Sequence, residues 1–320
     1  MNLLASMRYL VALNEHRHFG RAAQACHITQ PALSNALRAL EAEFGVVIVQ
    51  RGRTYAGLTH EGERVLSTAQ RMLREHAMLQ QELDSGAGRP QGTLRIGAVP
   101  TAMPIVARFA ALLQARHPGI APVVRSMSSP EIETELEGLS LDIGLGYTDR
   151  LGARGLRLDA LAQYTERYYY VRRRSAAGGT EGLRLCTPMA WRDAGARPLC
   201  LLTEEMHNRT IVDSAFAMAG LQVKPAIETN SILTLALSVV VGEVCSILPG
   251  ALVDAVRGYG ELEACPLEHP DVRTPVGFMT VAGTRPSRVL AAALELARED
   301  GWRQHAARHS GSFTVEPPAD

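Results

Sequence analysis

Gln30, Pro31, Ser34, Asn35 and Arg38 place amide, hydroxyl and guanidinium groups within a single turn or two of chain. Amides can bond the edge of adenine bidentately, arginine can do the same with guanine, and a hydroxyl can donate or accept at either base. Presented on one face of a helix, such groups suit the major groove of B-DNA, which admits one α-helix. Two further arginines, Arg51 and Arg53, follow a short way on and offer contacts to phosphate or minor groove. A polar outer face also suits an ordinary helical hairpin, so the elements carrying these residues matter.

Those elements read as two short helices with a tight connection. Ala22 and Ala23 let another helix approach, Phe19 packs at the start, and a turn runs through Cys26 to Ile28. Thr29 can then cap a second helix beginning near Gln30, where Pro31 is tolerated because first-turn N–H groups have no partner within the helix. Leu33, Leu37 and Leu40 form the inward stripe, leaving Gln30, Ser34, Asn35 and Arg38 outward. Gly45 ends the helix, Val46–Val49 is β-like, and Leu58-Thr59 opens a new helix, which together make a wing. Before this segment, Leu3, Leu4, Met7, Leu10, Val11 and Leu13 trace a supporting helical stripe. After it, Val65, Ala69, Met72, His76, Leu79 and Leu83 step by four and three along a long helix, a heptad seam suited to dimerisation or to packing on a neighbouring domain.

The run from Phe19 through Ala22-Ala23, Thr29-Gln-Pro-Ala-Leu-Ser34, Leu40-Glu41, Gly45 and Leu58-Thr59 to Gly62 closely resembles the N-terminal domain of the LysR-type transcriptional regulators. Val49 departs from the pattern, which usually has Phe two residues before the wing arginine. The resemblance implies a sequence-specific regulator of double-stranded operator DNA, with Gln30, Pro31, Ser34, Asn35, Arg38, Arg51 and Arg53 on the DNA. It also implies a homodimer through the long helix, a homotetramer, contact with RNA polymerase, activation or repression of transcription, and control by a small effector.

Composition agrees. A chain of 320 residues with 46% apolar and 5% aromatic content suggests about two soluble globular domains. Net charge is +0, yet residues 1–53 hold six arginines against three glutamates, a local +3 where phosphate contact would need it. The five cysteines (Cys26, Cys186, Cys200, Cys245 and Cys265) have no CxxC spacing and read as reduced core thiols. No apolar run approaches a membrane span and no signal peptide is evident, so a cytoplasmic location with no membrane role is expected. Neither cofactor nor metal is expected: GxGxxG after a strand, the P-loop, G-x-S-x-G and HExxH are all missing. An α/β enzyme, or a small-solute-binding protein without a DNA role, are the alternatives; catalytic turnover would favour the first and the wing segment counts against the second.

Beyond a Gly/Ser-containing linker, strands and helices alternate in two successive α/β units, with β-rich crossovers near residues 164–171 and 265–279 and a final helix over residues 285–303. The expected fold is therefore α/β: an N-terminal winged helix–turn–helix over residues 1–59, a linker helix over 60–86, a two-lobed effector domain over 91–308 resembling periplasmic binding proteins, and a disordered tail over 309–320. Ligands of open parallel sheets bind beyond the carboxyl ends of strands, beside helix N-termini. Loops there carry Thr101, Ser128, Ser129, Thr203, Asn208, Thr229 and Asn230, residue types that also cap helices, and Gly146-Tyr147 adds a further wall. By position in the family pattern, Thr101, Ser128, Tyr147, Thr203, His207 and Thr229 are effector contacts. Arg209 suits either a ligand carboxylate or a structural ion pair. The string Leu201-Leu-Thr-Glu-Glu-Met-His-Asn-Arg209, with Glu228-Thr-Asn-Ser231, resembles a subgroup associated with formate dehydrogenase operons, which implies a small anionic effector such as formate.

Overall fold

In a computed structural model the chain is described over residues 2–50, 55–84 (backbone only for 81–84), 89–151, 157–174 and 182–311. It divides into two compact units, the first mainly residues 1–89 and the second residues 90–136 with 141–320.

The first unit holds α1 (Leu3–His16), α2 (Phe19–Ala25), α3 (Gln30–Phe44) and α4 (His60–Asp84). Each of the first three is started by a side chain: Asn2 accepts from the Ala5 N–H, His18 from Gly20 and Arg21, and Thr29 from Ala32. Gly45 closes α3 in the left-handed region, where glycine carries no Cβ penalty. Met7, Leu10, Leu13, Ala22, Ala23, Leu33, Leu37, Leu40, Ile48 and Ala69 form one core. Among the described residues the wing shows one antiparallel bridge, Val49 to Leu58, and no strand over Val46–Val49. Glu41 holds its base by accepting from the Ile48 and Val49 N–H groups at 2.8 and 3.1 Å. Gly62 is needed there because a Cβ would stand 2.1 Å from the Ile48 carbonyl oxygen. Arg51 and Arg53 lie outside the described residues.

The seam of α4 divides. Val65, Leu66, Ala69 and Leu73 pack onto the core of their own unit, whereas Met72 and Leu79 are exposed. Among the described side chains of the stripe, Met72 and Leu79 are therefore left accessible to another chain.

The second unit begins with β1 (Gly92–Ala98), a 3-10 turn over Pro100–Ala102, α5 (Met103–Arg116), β2 (Ile120–Ser126), α6 (Ser129–Glu137), β3 (Ile143–Tyr147) and β4 (Leu158–Glu166). There follow β5 (Tyr168–Arg173), β6 (Arg184–Leu185), β7 (Met189–Ala190), α7 (Trp191–Ala194), β8 (Leu199–Leu202), α8 (His207–Met218), β9 (Ile227–Thr229), α9 (Ile232–Val241), β10 (Cys245–Pro249) and α10 (Gly250–Ala255). Last come β11 (Leu262–Glu268), β12 (Thr274–Val281), α11 (Arg288–Arg298) and α12 (Asp300–His309). One sheet has the order β2-β1-β3-β12-β4 and the other β6-β11-β5-β10-β8-β9, with β7 beside β11. The first three strands of the first sheet are parallel, as helical crossovers require, and β3 is buried throughout. β4 to β5 carries the chain from the first lobe to the second, and β11 to β12 carries it back, so both crossovers are antiparallel strands.

Two expectations change. The final helix is two, broken at Glu299, whose backbone is extended (ψ 135). Residues 309–311, expected to open the tail, are packed: His309 ends α12, Ser310 is buried, and the Tyr169 hydroxyl donates to the Gly311 carbonyl at 2.5 Å. Residues 312–320 lie outside the described part.

Candidate nucleic-acid interface and effector cleft

On α3 the three buried leucines fix which face is outward. Gln30, Pro31, Asn35 and Arg38 are exposed and Ser34 is half-buried, so these five candidates share one accessible stretch at the N-terminal half of the helix. Arg38 Nη1 reaches Asn35 Oδ1 at 3.5 Å, a loose contact that leaves both groups available. The N-terminus of α3 also adds its dipole toward a phosphate.

In the second unit, a buried polar cluster joins the two lobes. The Tyr147 hydroxyl, at the end of β3, donates to Glu166 Oε2 at 3.1 Å and lies 2.8 Å from Thr101 Oγ1. From the second lobe, Asn208 Nδ2 donates to the same hydroxyl at 3.3 Å. His207 lies edge-on to the Tyr147 ring, with centroids 5.1 Å apart. Its Nδ1 is 3.0 Å from Arg150 Nη1, and Arg150 is itself held by Glu133 at 3.0 Å. Because an arginine can only donate, Nδ1 is the acceptor and the proton sits on Nε2. Burial, and then Arg150, lower the His207 pKa, so the ring is neutral near pH 7.

Within this cluster His207 Nε2, with Asp149 Oδ1 at 3.9 Å, and Glu166 Oε1 make no hydrogen bond; Ser129 Oγ, in the first turn of α6, is likewise buried without one. His207 and Ser129 stand at helix N-termini, whose partial positive charge favours an anion. Thr101, Tyr147, His207 and Asn208 are thus brought together. Thr203, Ser128 and Thr229 are not part of this cluster. Ser128 caps α6 reciprocally with Glu131, Thr203 donates to Glu205, and Thr229 accepts from the Ser231 N–H. Arg209 is a structural ion pair: Nε spans both Asp213 oxygens at 2.9 Å and Nη1 reaches Glu228 and the Leu202 carbonyl.

Glu166 is the residue that the sequence reading missed. It is fully buried, its Oε1 has no hydrogen-bond partner, and burial pushes its pKa up to about 8 despite the hydroxyls of Tyr147, Thr101 and Tyr168. The available signal was its parity with Tyr164, Tyr168 and Tyr170, which puts an acid on an otherwise aromatic face.

A capped helix presenting amides and an arginine, together with a two-lobed unit whose lobes meet at a buried polar cluster, fits a DNA-reading protein with a ligand-binding unit. Residues 4–63 match the bacterial regulatory helix-turn-helix proteins of the lysR family, and residues 87–302 match the LysR substrate binding domain. The chain belongs to the LysR family. Among curated relatives, a hydrogen peroxide-inducible genes activator of Pectobacterium carotovorum subsp. carotovorum is 32% identical over 143 residues, 44% of this chain and 47% of the relative. An SDS degradation transcriptional activation protein of a Pseudomonas species is 38% identical over 121 residues, 38% of this chain and 40% of the relative. These matches span about half the length of those relatives or less. Among solved structures, a singly substituted full-length OxyR from Pseudomonas aeruginosa has a TM-score of 0.69 at 23% identity, covering 92% of this chain and 97% of that one. CbnR, a LysR family transcriptional regulator, has a TM-score of 0.62 at 19% identity, covering 95% and 99%. At these identities the likeness is one of fold.

Proposed function

We propose that this chain is a DNA-binding transcriptional regulator, working with chromosomal DNA in the cytoplasm, whose operator affinity is set by a small anion held between the lobes of its second unit. The observation that carries the DNA half is the exposed Gln30, Asn35 and Arg38 on a side-chain-capped α3. Gln30, Pro31, Ser34 and Asn35 meet base edges, while Arg51 and Arg53 take phosphate or minor groove. CbnR, a structural neighbour at 21% identity, has been seen complexed with its target DNA. Two copies pair through the exposed Met72 and Leu79 of α4, and pairs assemble into tetramers that contact RNA polymerase. Ser34→Ala lowers preference for the operator more than general DNA affinity. Equal losses on operator and random duplexes would remove Ser34 from base reading.

For the effector, the supporting observation is that His207, whose Nδ1 lies 3.0 Å from Arg150, and Ser129 each keep a buried donor without a partner at the start of a helix. A small carboxylate such as formate has the size and the acceptors to satisfy them, with Thr101, Tyr147 and Asn208 as neighbours. Ser128, Thr203 and Thr229 support it through the caps they make. Thermal-shift titration with formate, against neutral and cationic controls, gives saturable stabilisation that Thr101→Ala weakens. Stabilisation by none of the anions would sink the anion reading and leave DNA binding untouched.

A further inference from the structure

Cys186 and Cys265 stand far apart in sequence, and the second sheet brings them side by side. β6 runs parallel to β11 in the register Arg184 to Glu263 and Leu185 to Ala264, and the ladder ends with the Cys186 N–H donating to the Ala264 carbonyl at 2.9 Å. One further step along that register sets Cys186 beside Cys265. Side chains alternate along a strand, so Leu185 and Ala264 face the core while both cysteines take the opposite face. Glu263 shares that face, as does Arg172 of β5, its register partner and ion-pair partner. The two thiols are near enough to influence each other's protonation. Neighbouring strands lie ~4.8 Å apart, inside the roughly 4.4–6.8 Å between Cα atoms that a disulfide spans. Cys265 is buried and Cys186, on the edge strand, is half-buried.

We propose that Cys186 and Cys265 form a reversible dithiol–disulfide site in the second lobe, oxidised by small disulfides. The Cys186 thiolate attacks one sulfur of a small disulfide and expels one small thiolate. The Cys265 sulfur then attacks Cys186 in the mixed disulfide and expels the second. The two protons lost by the cysteines end on the two small thiols released, so the protein loses two electrons and two protons and the small disulfide gains them. A soft metal ion is the lesser fit, because no group of three His, Cys, Asp or Glu side chains among the described residues can hold one.

The surroundings set the tempo. Burial raises both thiols above their ordinary range, and at Cys186 the Cys265 sulfur and Glu263 add to it, to about 12. Thiolate is therefore scarce and exchange slow, so the site follows the standing redox poise rather than a brief pulse. Once formed, the bond ties the edge strand β6 to β11, the strand that leads back to the first lobe.

The test uses the full chain equilibrated across ratios of reduced to oxidised glutathione, quenched in acid, alkylated and mapped by peptide mass. A Cys186–Cys265 linked peptide pair that accumulates with oxidised glutathione and disappears on return to reduced glutathione is the expected result, with Cys200 and Cys245 still alkylatable after unfolding. Cys265→Ser should stop the reaction at a mixed glutathione disulfide on Cys186. Full alkylation of both cysteines at every ratio would overturn the proposal. So would a mixed disulfide on Cys186 of the unaltered chain with no linked pair at equilibrium, and because the unaltered chain decides, a misfolded variant cannot obscure the answer.

Discussion

Glu166 shows how one residue can make a ligand site pH-dependent. Its ordinary value is 4.5 and burial raises it to about 8 in the fold. Between those values the folded chain keeps a proton that the unfolded chain has released. Stability therefore falls as pH rises through this window, by up to ~1.4 kcal/mol per pH unit, and levels off above the folded value. Glu166→Gln keeps the shape and a donor but cannot titrate. Urea midpoints measured from pH 5 to 9 should decline more for the original chain than for the variant, the difference opening between 5 and 8. Parallel curves would mean that Glu166 ionises in the fold as it does in water. A neutral Glu166 also tolerates a nearby anion, whereas an ionised one repels it, so anion affinity should drop as pH rises through 8. Little of this was legible beforehand. The hydroxyls of Thr101 and Tyr147 were visible as loop residues beyond strand ends, but the acid that unites them sits on a crossover strand, and parity with Tyr164 and Tyr168 gives its face without showing that those hydroxyls meet it there.

At the scale of elements, local signals succeeded where they were sufficient. The 4-3 spacing of Leu33, Leu37 and Leu40, the Thr29 cap and the Gly45 stop reproduce α3, and short apolar runs place β1, β2, β8 and β10 to within a few residues. They failed where a distant partner decides. α11 and α12 form one apolar periodicity in sequence, yet separate at Glu299. The Cys186–Cys265 neighbourhood likewise depends on a parallel register that no spacing encodes. Arg209 is the informative middle case, since sequence left it between ligand and scaffold. Its side chain is 6% exposed, binds the backbone of β8 and carboxylates on α8 and β9, and so fastens three elements together. Arg209→Met strands the Leu202 carbonyl and two acids, at a cost of about 1–3 kcal/mol. Denaturant unfolding should register that loss while formate titration of the folded variant matches the unaltered chain. An affinity loss without destabilisation would return Arg209 to the ligand.

For the whole molecule, regulation by the proposed anion requires that it distinguish two arrangements of the chain, since a ligand with equal affinity for both shifts nothing. The links between lobes supply a physical difference: Asn208 to Tyr147 and His207 to Arg150 exist only when the lobes are together. An anion bonded to His207 Nε2 and Ser129 Oγ would add to those links and favour the joined arrangement. The coupling must then be reciprocal: whatever factor the anion applies to operator affinity, the operator applies to anion affinity. Calorimetric titration of the anion with and without saturating operator should give dissociation constants differing by about 5–150-fold, the span of typical allosteric couplings of 1–3 kcal/mol. Fluorescence titration of operator with and without anion should return the same ratio. Asn208→Ala, which removes one link without touching the DNA face, should shrink both ratios together. Identical anion affinity in the two states would separate the cleft from DNA reading, leaving a regulator whose second unit binds without signalling.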